Sequence, residues 1–227
     1  GNISTWREDV LAVGGFDENF SGWGGEDTEL GYRMRSADMV YIYQPQAASY
    51  HLTHPRNPRQ PVEIYDNMRY FYHKHKTREV ELLLPFVTGR ISFQFYWAEA
   101  TRNADTTTAL FEDDYYRALR DDLLLASDIL GGCDIVLAIS PEVTMRDREP
   151  GIVVVTRLDP SPEGHPWTFR TTKEYQGIER ELLLRIDGRA PLSHIIAAIG
   201  GESTSASAKI RGFASELLAA GMVIAIT

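Results

Sequence analysis

Gly14-Gly15-Phe16-Asp17-Glu18, followed by Phe20-Ser21-Gly22-Trp23-Gly24-Gly25-Glu26-Asp27, is the densest cluster of unusual residues in the chain. An aromatic ring beside flexible glycines, leading into two carboxylates at a helix start, suits a carbohydrate. The ring face stacks on the apolar face of a pyranose, and adjacent carboxylates accept hydrogen bonds from its hydroxyls. Glycines let the backbone approach a ligand without a Cβ in the way. A carboxylate near a helix N-terminus is favoured in its ionised form, which keeps it available as a proton acceptor. The same residues have a plainer reading, in which Glu26 and Asp27 only cap the next helix and Trp23 sits in the core.

Around this cluster the chain alternates helices with short extended runs. Thr5-Trp6-Arg7-Glu8 reads as a capping box that opens a short helix closed by Gly14-Gly15. Asp27 to Arg35 reads as a helix with Leu30 and Met34 inward. Val40-Tyr41-Ile42-Tyr43 predicts a strand ended by Pro45, and Ala47 to His51 a second short one. Val62 to His75 predicts a helix with Ile64, Met68, Phe71 and Tyr72 on one side, leaving His73 and His75 at its surface. Arg90 to Ala98 fits either a strand or a helix start. Glu112 to Leu130 predicts a helix with Tyr115, Leu119, Leu123 and Leu130 inward and Asp113, Asp114, Asp121 and Asp122 on a solvated face.

Composition bounds the function. The 227 residues are 43% hydrophobic and 11% aromatic, which excludes a disordered chain and provides for a sizeable core. The 32 acidic against 23 basic residues give a net charge of −9, so duplex nucleic acid is not an expected partner. Residues 77–137 hold 11 acidic and only 5 basic residues, and read as an acidic, mainly helical connector between residues 1–76 and 138–227. No apolar run approaches the roughly 20 residues of a transmembrane helix. The lone Cys133 excludes an internal disulfide framework and suits a cytoplasmic location. Gly1-Asn2-Ile3-Ser4 carries neither an initiator Met nor a signal-peptide run, so the chain is expected to be a piece of a longer one.

Residues 138–227 have a sharper grammar. Glu142 to Arg148, Gly151 to Leu158 and Trp167 to Thr172 predict three strands, with turn residues at Glu149-Pro150-Gly151 and Asp159-Pro160-Ser161-Pro162. Three helices follow: one carrying Ile178, Leu182 and Ile186, one carrying Leu192, Ile195, Ile196 and Ile199, and one carrying Ile210, Phe213, Ala214 and Leu217. Met222 to Ile226 predicts a last strand. The expected fold class is α/β followed by a small winged-helix-like α+β domain.

Gly1-Asn2-Ile3-Ser4, Gly14-Gly15-Phe16-Asp17-Glu18 and Trp23-Gly24-Gly25-Glu26-Asp27, followed by Glu29-Leu30-Gly31-Tyr32-Arg33, resemble the C-terminal part of GT-A glycosyltransferases. The likeness is to family-2 enzymes of the chondroitin-polymerase kind and to the galactosyltransferase C-terminal region. It covers residues 1 to about 76. It implies an inverting transfer from a nucleotide-sugar donor to a hydroxyl acceptor, with Asp27 as the base that deprotonates the acceptor. Glu26 would hold the acceptor sugar, Trp23, Gly24 and Gly25 would form the wall between donor and acceptor, and Arg33 would bind substrate. His51 would help bind a divalent metal on the donor diphosphate, with His54 a weaker candidate, and imidazole favours Mn²⁺ over Mg²⁺. The chain departs from the family in lacking the nucleotide-binding half and its Asp-x-Asp motif, so by itself it is expected to be inactive.

Ala138 to Val143, Glu181 to Leu192 and Phe213 to Val223 resemble PqqD-like domains, which hold leader peptides of ribosomally made, modified peptides. That likeness implies a leader peptide added as a strand beside Trp167, Phe169 and Thr171, in a groove next to the third helix. The module would then recruit a peptide for the transferase to modify. The alternatives are a non-catalytic peptide-binding module that keeps a remnant sugar site, and a winged-helix DNA reader. The last is poorly supplied with cations, since its recognition helix holds only Lys209 and Arg211.

Overall fold

A computed structural model describes residues 3–50, 52, 57–102, 109–149, 151–158, 170–200 and 203–226. The front of the chain forms α1 (Arg7–Ala12), α2 (Glu26–Ser36) and α3 (Gln60–His75). The capping box expected at Thr5 is not made: the residue before α1 is Trp6, in an extended conformation and without a side-chain cap. Helix α2 places Glu26, Asp27 and Glu29 in its first turn and Arg33 and Arg35 in its last, complementing the helix dipole at both ends. Residues 39–50 run without helix or ladder, so the strands expected at 40–43 and 47–51 are not formed among the described residues. Their composition suits a strand, but a strand exists only where a neighbour takes its N–H and C=O groups. Val40, Ile42 and Tyr43 are left exposed, and Tyr41 donates its hydroxyl to the Gly31 carbonyl at 2.8 Å.

The middle of the chain is helical: α4 (Arg78–Glu81), α5 (Leu83–Val87), α6 (Phe93–Ala100) and the long α7 (Asp113–Leu130). Arg90 to Ala98, open between strand and helix in the sequence, therefore resolves as helix. A first core joins α3 to these elements through Met68, Phe71, Leu82, Phe95, Leu119 and Leu123. The buried face of α7 is Tyr116, Leu119, Leu123, Ala126 and Ile129, one position round from the expected Tyr115 and Leu130. Asp113, Asp114 and Asp121 are exposed as expected, whereas Asp122 forms an ion pair with Arg90.

The last third forms β1 (Val136–Ile139), β2 (Val143–Glu149), β3 (Ile152–Leu158), β4 (Arg170–Gln176), α8 (Gly177–Arg185), α9 (Leu192–Ala198), α10 (Thr204–Ala219) and β5 (Val223–Ile226). Strands β2, β3 and β4 make an antiparallel sheet in that order, with Val155 opposite both Met145 and Lys173. Strand β1, absent from the sequence reading, pairs antiparallel with β5 and sets Val136 opposite Ile226. The second core packs Val153 and Val155 of the sheet against Leu182, Leu192, Ile210 and Leu217 of the helices. Ala126 and Ile129 belong to it, so α7 lines both cores.

Two arginines finish the junction. Arg157, 2% exposed, donates to the Ala220 carbonyl beyond α10 and to the carbonyls of Gly89 and Arg90. Arg90 donates to the carbonyls of Ala219 and Leu218. Cations thus meet the last carbonyls of α10, where the helix dipole is negative. Gly221 has φ +67°, and a Cβ there would stand 2.5 Å from Arg90 Nη1 and 2.9 Å from Arg157 Nη1. The left-handed backbone favours glycine at this position, and a Cβ would also crowd the ends of both guanidinium groups.

Candidate functional site

Loop 16–25 is held onto α3 before it delivers the start of α2. Asn67, buried on α3, accepts from Ser21 N at 3.2 Å and donates to the Gly24 carbonyl at 2.7 Å. Glu63, one turn earlier, accepts from Trp23 N at 3.0 Å. Phe20 packs edge-on against Tyr70 at 5.1 Å and Phe71 at 6.4 Å. The glycines are shaped by this contact. A Cβ on Gly24, at φ +90°, would lie 2.8 Å from Ile64 Cδ1, and one on Gly22, at φ +75°, 2.6 Å from Glu63 Cδ. In the sequence these glycines read as room for a ligand; in the fold they also make room for α3.

The strapped loop presents three of the expected side chains together. Trp23 is 52% exposed, so it is not the core residue of the plainer reading. Asp27 is exposed, with Oδ1 accepting from Thr28 N at 2.7 Å. Glu26, the first residue of α2, is half-buried, and its Oε2 is buried without a hydrogen-bond partner among the described residues. A buried carboxylate oxygen left without a donor is costly unless a ligand supplies one. An open ring, an exposed carboxylate and a donor-seeking carboxylate therefore share one helix start.

Arg33, expected to bind substrate, is engaged within the fold. Its Nε lies 2.9 Å from both oxygens of Glu29, and its Nη groups donate to the carbonyls of Val13 and Gly15. It holds the Gly14-Gly15 turn against α2. Glu29 is the hub that the sequence reading missed. It is fully buried and also receives Lys74 Nζ at 2.7 Å and His75 Nε2 at 2.9 Å. Burial is the largest influence on its carboxyl and pushes it up, but the bonds from Arg33, Lys74 and His75 outweigh it and hold it at about 2. His75 is correspondingly not the surface residue expected: its ring packs 4.6 Å from Tyr32 and 5.2 Å from Phe71. Asp17 completes the network, receiving Lys74 at 2.6 Å and Tyr70 Oη at 2.9 Å. The lysine bond, with the backbone N–H of Asn19 next, keeps the Asp17 carboxyl far below the usual carboxylate range.

A polar cleft of about 330 Å³ opens on this network, lined by Val13 to Glu18, Arg33 and Lys74. Trp23, Glu26 and Asp27 are not in its lining, and its cations are already committed to Glu29 and Asp17. The chemistry therefore favours the start of α2 over this cleft. Among the described residues no three His, Cys, Asp or Glu side chains gather into a metal-ligand set. His51 and His54 lie outside the described residues. The described residues supply no site for the divalent ion.

In the last third, Trp167 and Phe169 lie outside the described residues, and Thr171 is described only as backbone in β4. Beside β4 there is a cleft of about 120 Å³ lined by Lys173, Tyr175, Glu179, Phe213, Glu216, Leu217 and Ala220. It lies between the sheet and α10.

Residues 1–76 match the family described as N-terminal domain of galactosyltransferase. The front third of this chain is similar to a glycosyltransferase domain. The chain is 32% identical over 117 residues to validoxylamine A glucosyltransferase of Streptomyces hygroscopicus subsp. jinggangensis, covering 49% of this chain and 25% of that protein. It is 38% identical over 56 residues to human chondroitin sulfate N-acetylgalactosaminyltransferase 2, covering 25% of this chain and 10% of the relative. It is also 38% identical over 55 residues to chondroitin synthase of Pasteurella multocida, covering 24% and 6%. The chain thus spans a quarter or less of the length of these curated relatives. No solved structure matches it. Among the described residues no helix is long and apolar enough to cross a membrane.

Proposed function

We propose that residues 1–76 form the acceptor side of a glycosyltransferase that moves a sugar from a nucleotide-sugar donor to a hydroxyl group with inversion. The Asp27 carboxylate takes the acceptor proton as the acceptor oxygen bonds to the anomeric carbon. The bond from that carbon to the donor diphosphate breaks, and the nucleoside diphosphate leaves with its electron pair. Glu26 accepts a hydrogen bond from another acceptor hydroxyl, and the Trp23 ring stacks on the sugar face. The observation that carries this reading is the partnerless buried oxygen of Glu26 beside the exposed Asp27, within the segment that matches glycosyltransferases. A divalent metal, held in part by His51, is expected from the family resemblance alone.

The test is donor turnover and sugar transfer by the full-length protein. Replacement of a general base costs roughly 10²- to 10⁴-fold in rate, and Asp27→Asn should fall in that range with the helix content unchanged. An Asp27→Asn protein that transfers sugar at the original rate removes the assignment.

A second reading concerns residues 138–227 and is favoured by the cleft beside β4. Among the described residues β4 is paired only with β3, so its other edge can accept an extended peptide as a fourth strand. Such a module would hold a leader peptide and bring a peptide hydroxyl to the transferase. Titration with leader peptides should shift the amide signals of residues 172–176, and unmoved signals with every candidate would remove this reading.

A further inference from the structure

Trp23 sits between two glycines in left-handed conformations, and we infer that Glu63 of α3 is a positioning residue that holds its ring ready to stack on a sugar. The inference rests on the reading of Trp23 as a sugar platform and adds the group that sets its direction. Gly22 has φ +75° and Gly24 φ +90°. Glycine adopts either sign of φ at little cost, so the chain on both sides of Trp23 can swivel unless something outside the loop restrains it. Packing of the ring restrains it weakly, because Trp23 is 52% exposed. The direction of the ring therefore follows its backbone.

The restraint on that backbone comes from α3. Trp23 N donates to Glu63 Oε2 at 3.0 Å. The same carboxylate stands against Gly22, where a Cβ would lie 2.6 Å from Glu63 Cδ and 2.9 Å from Oε2. One side chain thus abuts the first glycine and takes the N–H that follows it. A bond from N–H to a carboxylate is roughly twice as strong as one between neutral groups. The Glu63 side chain is 16% exposed, so water competes for it weakly, and its Oε1 faces Arg59 Nε at 3.8 Å. The Trp23 carbonyl adds only a long contact from Asn67 Nδ2 at 3.4 Å.

The start of α2 is held separately. Asn67, not Glu63, bonds the Gly24 carbonyl at 2.7 Å, and its Cβ lies 3.5 Å from the place a Cβ on Gly25 would take. The Gly25 carbonyl in turn accepts the first bond of α2, from Glu29 N at 2.9 Å. Loss of the Glu63 carboxylate therefore releases the Trp23 ring while Glu26 and Asp27 stay in place. A sugar must then order the ring as it binds, and ordering one large side chain corresponds to roughly 2- to 10-fold in affinity.

The test uses the full chain with its four tryptophans replaced by 5-fluorotryptophan, and Trp23→Phe assigns the Trp23 fluorine signal. The probes are the methyl β-glycosides of glucose, galactose and their N-acetylamino forms. In the native chain at least one of them should shift the Trp23 signal. Glu63→Ala should move that signal towards free 5-fluorotryptophan and weaken binding of the same glycoside roughly 2- to 10-fold. Glu63→Gln keeps an oxygen that accepts from Trp23 N–H, so it should restore both signal and affinity. The signals of Trp6 and Trp97 are the control, since a general loosening of the fold moves them too. Native affinity in Glu63→Ala would overturn the positioning role and leave the sugar platform standing. Binding by Glu63→Gln as weak as by Glu63→Ala would overturn the bond to Trp23 N as its cause, and movement of Trp97 would show a structural role instead. A native Trp23 signal that no glycoside shifts would overturn the sugar reading of Trp23 and this inference with it, while the role of Asp27 is tested separately by sugar transfer.

Discussion

Replacing Glu29 by Gln probes the network that holds the candidate site in place. In the native chain the Glu29 oxygens take Arg33 Nε at 2.9 Å and Nη2 at 2.8 Å, Lys74 Nζ at 2.7 Å and His75 Nε2 at 2.9 Å, with no exposure to solvent. A Gln side chain keeps one acceptor and turns an NH₂ group towards donors. Breaking a buried pair by removing one partner costs about 3–5 kcal/mol. Linkage gives an independent figure. The carboxyl titrates at about 2 in the fold against an ordinary value of 4.5. That difference corresponds to a contribution on the order of 3 kcal/mol. The folded value is depressed, so this contribution is complete above about pH 4.5 and is lost as pH falls towards 2. The assay is urea denaturation of the native and Glu29→Gln chains, followed by circular dichroism from pH 7 down to pH 2.5. The gap between the two should be about 3 kcal/mol at pH 7 and close progressively below pH 4.5. An unchanged midpoint at pH 7, or a gap that does not narrow in acid, would refute the reasoning.

Three further outcomes follow from the packing. Asn67→Ala removes the strap on Ser21 and Gly24 and leaves a partly exposed carbonyl and N–H without their side-chain partner; the loss should be about 1 kcal/mol, with faster hydrogen exchange at Ser21, and unaltered exchange would contradict it. Gly24→Ala forces a Cβ to within 2.8 Å of Ile64 at φ +90°; thermal melting should show a loss of roughly 1–3 kcal/mol, and an unshifted melt would mean the loop moves freely away from α3. Gly221→Ala should cost a similar 1–3 kcal/mol by displacing Arg90 and Arg157 from α10, and a neutral melt would show that the two guanidinium groups are not fixed there.

Legibility in the sequence followed the range of the interactions. Helices α2, α3, α8, α9 and α10 were readable because their apolar positions recur at helical spacing, and glycines follow the last three. The strip at 40–43 misled because β-branched and aromatic composition states a preference, whereas a strand also requires a neighbour that no local signal announces. Strand β1 was missed for the converse reason: four residues long, it is fixed by β5 at the far end of the chain. Trp23, Glu26 and Asp27 stand out in the sequence because their residue types are rare in combination. Glu29 was overlooked because a glutamate on an amphipathic helix ordinarily faces water, and its i,i+4 spacing to Arg33 gives no hint that Lys74 and His75 also arrive. Asn67 and Glu63, which aim the loop, gave no local signal, because their partners lie 40 or more residues earlier in the chain.

The shared helix has a consequence for how the chain can change. Leu123 faces one core and Ala126 the other, less than a turn apart on α7. One residue inserted between them would swing everything beyond by about 100° and push it along by about 1.5 Å, putting one of the two interiors out of step with its wall. Loops on either side can lengthen freely, but this rod tolerates alteration only in near-whole turns. Its register therefore sets how far α3, which carries the loop before α2, stands from the cleft lined by α10.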